Sequence, residues 1–448
     1  MKEIPPSTLI DVQLLRIGMF VHLDGGWMSH PFPLSSFKIG TAEQIRTIRS
    51  LGKERIRWSP EKSDPEPADL PAPGSAAASA AAPEQVAAAK LAAAEVLKAA
   101  EKAAAEAAET PEMTERRKHR EALAAQRAAL SMCEQQFAEA ARACKRSAEL
   151  VSTQPQEARQ QSEALAQAFV SKMLGQQEIC IRLLTEGAGD KASLHAINVA
   201  VISMLMGKTF GLSESEMADL GVGALLHDIG KIELPDRLRH REDHFTSAEL
   251  LGYQEHVAHG VTLARKMGLK PGASLVIAQH HEHADSSGFP LKLNADRMST
   301  ASRIVSLVNR YDNLCNPHVP SRALTPHEAL SLLFAQGKSK FETSILGGFI
   351  RMMGVYPPGS AVQLTDDRYA MVMSVNSARP LKPRVLVHDG KVAREDALLV
   401  DLEAEPRLGI RRSLKPQQLP PEALNFLSPR TRIAYFFEAD SQPLELAA

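Results

Sequence analysis

The chain has 448 residues, too many for one compact core, so two or three domains are expected. With 52 basic against 53 acidic residues the net charge is -1, which removes any electrostatic case for a nucleic-acid polymer or an anionic membrane surface as partner. Cys133, Cys144, Cys180 and Cys315 are scattered without CxxC spacing, which speaks against a disulfide framework or a zinc ribbon and fits a reducing cytoplasm. Met1 to Gly26 contains Pro5-Pro6 and no long apolar run, unlike a secretion signal. No stretch approaches the roughly 20 apolar residues that span a bilayer. A cytoplasmic protein is expected.

Residues 4–60 predict a small α/β unit. Ile10-Asp11-Val12 and Met19–Leu23 read as short strands, and Asp24-Gly25-Gly26 as a turn. Trp27, His30-Pro31-Phe32 and Phe37-Lys38-Ile39 suit a second hairpin. Thr41 suits the cap of a helix carrying Ile45, Ile48 and Leu51, ended by Gly52, before a closing strand Arg55–Trp58. Residues 61–110 turn Pro-rich and then Ala-rich, which predicts an extended linker followed by a helical spacer. Residues 111–186 read as a helical hairpin. Leu123, Leu130, Phe137 and Ala141 form one run, Leu165 to Leu184 the other, and Pro155 marks the turn between them. This hairpin reads equally as a cover for the next domain or as a homodimer seam. Residues 187–345 predict a helical domain, and residues 354–440 a β-rich appendage. Its strands are Ala361–Leu364, Tyr369–Met373, Arg384–Val387, Leu398–Asp401 and Ile433–Phe437, with a hairpin turn at Asp389-Gly390. The fold class is thus multidomain and mainly α.

The chemistry gathers between His195 and Asp312. Apolar helical segments exclude unpaired polar groups, yet this one carries His195, His227-Asp228, His256 and His280-His281. Divalent transition metal is the commonest reason for such a collection. Asp228 can bridge two ions with its two oxygens. Lys231 lies three residues on, so its ammonium suits a bound phosphate. His280 and His281 are adjacent, and both can ligate only where the backbone allows, such as a helix end. Two ions that share a water or hydroxide can lower its pKa and clamp a phosphodiester for in-line attack. His240, His244, His318 and His388 read as ordinary histidines, and His259 and His283 as neighbours of the site.

Leu226–Ile232 through Pro235-Asp236, His256 with Gly260, and His280 through Pro290 resemble the HD-GYP family of HD-domain phosphohydrolases. The segment around Gly25-Gly26-Trp27 is similar to a small domain that often precedes them, and Tyr356–Gly359 with the β-rich tail to what often follows. The resemblance implies an all-helical HD-type core and a cyclic di-GMP phosphodiesterase making pGpG or GMP. It also implies two divalent ions, iron or manganese. It places His195, His227, Asp228, His256, His280, His281 and Asn309 among the metal ligands, with Asp228 and Lys231 catalytic. It places Lys231, Asp285, Gly288, Asp312 and Arg322 near substrate, and a protein-partner surface at the Gly288-Phe289-Pro290 loop. Several departures accompany it. Phe289 replaces a tyrosine, and Ser286 stands where a glycine is usual, so a positive φ there would be strained. Asn309 replaces a ligand aspartate, and a neutral amide binds a cation more weakly than a carboxylate does. Lys191 replaces the glutamate of three-metal members, which excludes it as a ligand. His318, Ser321 and Arg322 match the family's basic residues poorly. These departures supply the alternative of a catalytically weak chain that binds cyclic di-GMP or a partner and signals by conformation.

Overall fold

Alternating residues near the N-terminus pair as expected. In the computed structural model, which describes residues 8–23, 36–51, 53–64, 110–175, 178–185, 191–240 and 245–439, β1 (Thr8–Asp11), β2 (Phe20–His22), β3 (Ser36–Lys38) and β4 (Arg55–Ser59) form an antiparallel sheet in the order β1-β4-β2-β3. Helix α1 (Ala42–Ser50) opens with Thr41 and Gln44 capping each other reciprocally. Val21, Ile48 and Ile56 are buried in this unit. The hairpin expected at Trp27 and His30-Pro31-Phe32, the stop at Gly52 and most of the 61–110 linker lie outside the described residues.

The chain divides into two units, residues 1–24 with 34–126 and residues 25–33 with 127–448. The boundary near 126 falls inside α2 (Pro111–Leu150). Helix α3 (Pro155–Leu174) follows, with Pro155 in its first turn, where a missing N–H costs nothing. The predicted hairpin is therefore present, but its last part is not helical. Ile179–Leu183 is strand β5, and all five residues are buried. A short apolar run buried on both faces shows no alternation, so periodicity alone does not separate it from helix.

The helical domain comprises α4 (Lys191–Thr209), α5 (Glu214–Leu226), α6 (Ser247–Met267), α7 (Pro271–Gln279), α8 (Thr300–Cys315), α9 (Pro326–Gln336) and α10 (Thr343–Met353). Helix α4 is apolar and buried almost all round, as a central helix must be. Helix α5 packs on α3, α4 and α7, and α8 packs on α4. Among the described residues no helix is long and apolar enough to cross a membrane.

The tail forms β6 (Ala361–Leu364), β7 (Tyr369–Asn376), β8 (Arg384–Val387), β9 (Leu399–Asp401), β10 (Ile410–Leu414), α11 (Pro421–Leu427) and β11 (Tyr435–Ala439). The expected hairpin at Asp389-Gly390 is instead a longer connection from β8 to β9 that includes the turn Arg394–Asp396. The sheet runs β10-β6-β7-β5-β11, with β8 on β7 and β9 on β8. Its strand β5 precedes the helical domain in the chain. The β-rich tail thus takes β5 into its sheet, where β11 pairs with it and Tyr435 stands opposite Leu183.

Aromatic packing fixes that pairing. Phe436 meets Phe137 of α2 and Phe169 of α3 edge-on, with ring centroids 6.1 and 5.9 Å apart, and Phe437 meets Phe169 at 5.8 Å. Phe137, one of the residues expected in a dimer seam, is buried in the chain's own core. Deleting a buried phenyl removes its transfer free energy and leaves a cavity. Phe436→Ala should lower unfolding stability by about 3–5 kcal/mol in urea titrations. Leu381→Ala, at a position 73% exposed, should stay within about 0.5 kcal/mol of the parent. Equal effects would contradict this packing.

Candidate metal centre

The site is built from helix ends and helix faces. His227 caps the C-terminus of α5, and its Nδ1–H donates to the Ala224 carbonyl at 2.8 Å. His280 caps α7 and donates to the Ile277 carbonyl at 2.8 Å. His256, inside α6, donates to the Tyr253 carbonyl at 2.6 Å. Each ring reaches back to the carbonyl three residues earlier, the direction helical side chains take. A carbonyl only accepts, so Nδ1 holds the proton and Nε2 presents a lone pair. His195, near the start of α4, has its Nδ1 2.6 Å from Asp312 Oδ2. A carboxylate likewise only accepts, so this Nε2 is a lone pair too.

Those lone pairs face one another. His195 Nε2 lies 3.2 Å from His227 Nε2, and His256 Nε2 lies 3.3 Å from His280 Nε2. Two neutral rings so arranged have no proton to bridge either pair. Asp228 stands between them. Its Oδ2 is 3.7 and 3.5 Å from Nε2 of His195 and His227. Its Oδ1 is 3.6 and 3.7 Å from Nε2 of His256 and His280. His281 joins the second group, and within each group the potential ligand atoms lie within 4.8 Å of one another. Asp228 Oδ1 and His281 Nε2 are buried with no hydrogen-bond partner. Such atoms cost about 1–3 kcal/mol each when left unpaired. Carboxylate and imidazole donors with orphaned lone pairs fit divalent cations on both sides of Asp228.

Electrostatics keep the donors in ligand form. Burial works to raise the Asp228 pKa, but the Lys231 ammonium beside it opposes this, and the carboxyl is held well below its usual range. Burial likewise works against the Lys231 ammonium, and Asp228, 2.6 Å away, overcomes it and raises the pKa. Burial pushes His227 and His281 down and takes His256 to about 3. Asp228 and Lys231 keep 22% and 21% of their side chains exposed, so the pair opens to solvent while His227, His256 and His280 behind it are shut in.

Close backbone approaches hold the parts together. A Cβ on Gly230 would fall 1.9 Å from the His256 carbonyl oxygen and 2.4 Å from the Gly260 nitrogen. The short helix Ile229–Glu233 therefore lies directly on α6, which brings Asp228 to His256. A Cβ on Gly288 would fall 2.5 Å from the His281 carbonyl oxygen. That contact lets Phe289 N–H donate to the same carbonyl at 3.1 Å and its ring stack on His281, centroids 4.5 Å apart. The phenyl of the expected partner-binding loop thus seats the His281 ring. Ser286 does take a positive φ, 63°. Glu282, fully buried, accepts from the Leu291 and Leu293 amides at 2.6 and 2.8 Å and fixes the rest of the loop.

The remaining sequence-predicted residues fall as follows. Asn309 is buried on α8, and its Oδ1 accepts from Asn313 Nδ2 at 2.6 Å. Asp312, expected near substrate, is wholly buried, and its oxygens accept from His195, Asn198 and Asn316, so it orients the His195 ring. Asp285 is exposed and accepts from the Ser287 amide within its own loop. Arg322 is exposed in the turn Pro320–Arg322. The Lys191 ammonium donates to His318 Nδ1 at 2.9 Å. His283 Nδ1 pairs with Ser287 Oγ at 3.0 Å. Sequence reasoning missed Glu282, Asn198 and Asn316. A polar Asn198 inside an apolar helix, one turn after His195, was the available signal.

The chain is similar to several known proteins. Residues 149–345 match the HD domain, and residues 7–168 match a domain of unknown function, DUF3391. An HD-domain match with a DUF3391 match on its N-terminal side is in line with the HD-GYP resemblance. It is 22% identical over 391 residues to a cyclic di-GMP phosphodiesterase of Pseudomonas aeruginosa, covering 84% of each chain. It is 28% identical over 163 residues to a 3'3'-cGAMP-specific phosphodiesterase of Vibrio cholerae, covering 36% of this chain and 31% of that one. Among solved structures, a HDG"Y"P protein from Bdellovibrio bacteriovorus aligns over 77% of this chain and 98% of its own, at 14% identity and a TM-score of 0.38.

Burying histidines as neutral rings sets a pH dependence. His227, His256 and His281 have folded pKa values below their ordinary 6.5. The unfolded chain therefore binds more protons below pH 6.5, and their contribution to stability, complete above that pH, is lost as pH falls toward the folded values. Metal-free protein should lose up to about 1.4 kcal/mol per pH unit for each such histidine below pH 6. Urea denaturation between pH 7.5 and 5 measures this, and a flat profile would contradict neutral burial.

Proposed function

We propose that the chain is a metal-dependent phosphodiesterase that hydrolyses cyclic di-GMP to the linear dinucleotide, to GMP, or to both. One observation carries the reading: the two oxygens of Asp228 turn toward two different imidazole groups, the arrangement a bridging carboxylate needs. His195, His227 and Asp228 would hold one divalent ion, and Asp228, His256, His280 and His281 a second. Iron and manganese both suit imidazole with carboxylate. Bound there, such ions supply the Lewis acidity that lowers the pKa of water and draws charge from phosphoryl oxygens.

The chain's own residues do the rest. Lys231 fixes Asp228 from the solvent side and sets an ammonium at the rim, where a phosphoryl oxygen gains charge. Asp312 behind His195 and Phe289 on His281 lock two rings from opposite ends of the site. Rings so held need no reorganisation as the phosphorus changes geometry. The relatives from Pseudomonas and Vibrio support a cyclic dinucleotide as substrate. The cytoplasm, where such nucleotides act as messengers, is the matching compartment.

A second reading, a catalytically weak chain that binds cyclic di-GMP and signals by conformation, is favoured by Asn309. Its amide is neutral, and its oxygen is already engaged by Asn313. A turnover assay with manganese- or iron-loaded protein under reducing conditions separates the two. The substrates are cyclic di-GMP, 3'3'-cGAMP and mononucleotides. Cyclic di-GMP should be consumed, and Lys231→Ala should lower kcat by about 100- to 1,000-fold. Absence of product from any of them, with strong turnover restored by Asn309→Asp, would replace the first reading by the second.

A further inference from the structure

The sequence separates the C-terminal strand from the metal-binding histidines by more than a hundred residues, yet the two are joined by hydrogen bonds. Asp312 accepts from His195 Nδ1 at 2.6 Å, Asn198 Nδ2 at 2.7 Å and Asn316 Nδ2 at 2.9 Å. The same two amides also grip the chain just before and within β11. Asn198 Nδ2 donates to the Ile433 carbonyl at 2.8 Å, and its Oδ1 accepts from the Tyr435 amide at 2.8 Å. Asn316 Nδ2 donates to the Ile433 carbonyl at 2.9 Å, and its Oδ1 accepts from the Ile433 amide at 2.8 Å. Each asparagine therefore links the carboxylate behind His195 to backbone of the C-terminal segment.

The placement is costly unless it is used. Asn198 and Asp312 are fully buried, and a buried amide or carboxylate is tolerated only when its polar atoms are paired. Ile433–Tyr435 supplies partners that α4 and α8, whose own backbones are paired within the helices, do not. The Tyr435 hydroxyl anchors the same strand a second time, lying 3.0 Å from the Tyr311 hydroxyl and donating to the Pro358 carbonyl at 3.2 Å. A strand held at so many points transmits its position to Asp312 through two short amides with little play.

We infer that Asn198, Asn316 and the Ile433–Tyr435 backbone form a positioning unit for His195, so that the C-terminal strand sets the affinity of the His195, His227 and Asp228 side of the centre. No comparable link reaches the other side among the bonds described above, because His256 and His280 are oriented by carbonyls of their own helices. Displacing the strand would loosen one ion and leave the other. The inference rests on the metal-binding reading of the site and is independent of the substrate.

Asn316→Ala, at a half-buried position, and Asn198→Asp, isosteric but lacking the amide donor, test this in the full-length chain. Manganese titration of metal-free protein, followed by electron paramagnetic resonance, reads each ion, and turnover is measured separately. Removing a partner behind a metal ligand typically weakens binding by about 10- to 100-fold. One ion should weaken by about tenfold in each folded variant, while the other stays within about twofold. In the metal-free protein labelled with 15N-histidine, the His195 Nδ1 proton should lose its low-field signal, while those of His227, His256 and His280 persist. Both ions retained at parental affinity, both weakened in step, or an unchanged His195 proton would overturn the inference. Loss of turnover with two ions tightly bound in the parent would count against the hydrolase reading and not against this one.

Discussion

Asp228 sits between two pairs of imidazoles whose unprotonated nitrogens point at each other, and the rest of the centre answers to that arrangement. Four lone pairs and two carboxylate oxygens in a space a few ångströms across repel unless positive charge enters. The chain supplies one such charge itself, the Lys231 ammonium on Oδ2. Lys231 leaves Oδ1 without a partner, as it leaves the buried nitrogen of His281. The protein thus preserves a local electrostatic cost that only cations resolve. Sites that retain such a cost are where function concentrates.

The scaffold makes this affordable by fixing each ring from behind. Three rings are tied to carbonyls of their own helices, so orientation comes with helix formation and needs no distant partner. His195 differs, because its Nδ1 turns to Asp312 of α8 rather than to a carbonyl of its own helix. That choice draws α8, Asn198, Asn316 and the C-terminal strand into the same network. The sheet joined by β5 and β11 consequently belongs to the architecture of the centre, and the aromatic cluster around Phe436 secures it to α2 and α3.

The side-chain cluster was legible in the sequence because His227-Asp228, His256 and His280-His281 are residue types that apolar helices otherwise reject. Adjacent His280 and His281 even required a helix end, and α7 ends at His280. Orientation was not legible. Asp312 follows the ligand-like Asn309 by three residues, and spacing alone allowed it to face substrate; only the paired state of its oxygens shows that it faces His195. Strand β5 was concealed because both its faces are buried. Strand β10, Ile410-Arg411-Arg412-Ser413-Leu414, was concealed by its polar centre, which fits an edge strand paired on β6 alone. Contacts between residues more than a hundred positions apart, such as Asn198 with Tyr435, leave no local pattern to read.

Anomalous diffraction from crystals of the manganese-loaded protein tests the central claim most directly. Two peaks should appear, one on each side of Asp228 and about 3.5–4 Å apart, with imidazole nitrogens about 2.0–2.3 Å from them. A single peak away from Asp228, or a fully loaded protein with its ions bound elsewhere, would contradict the account.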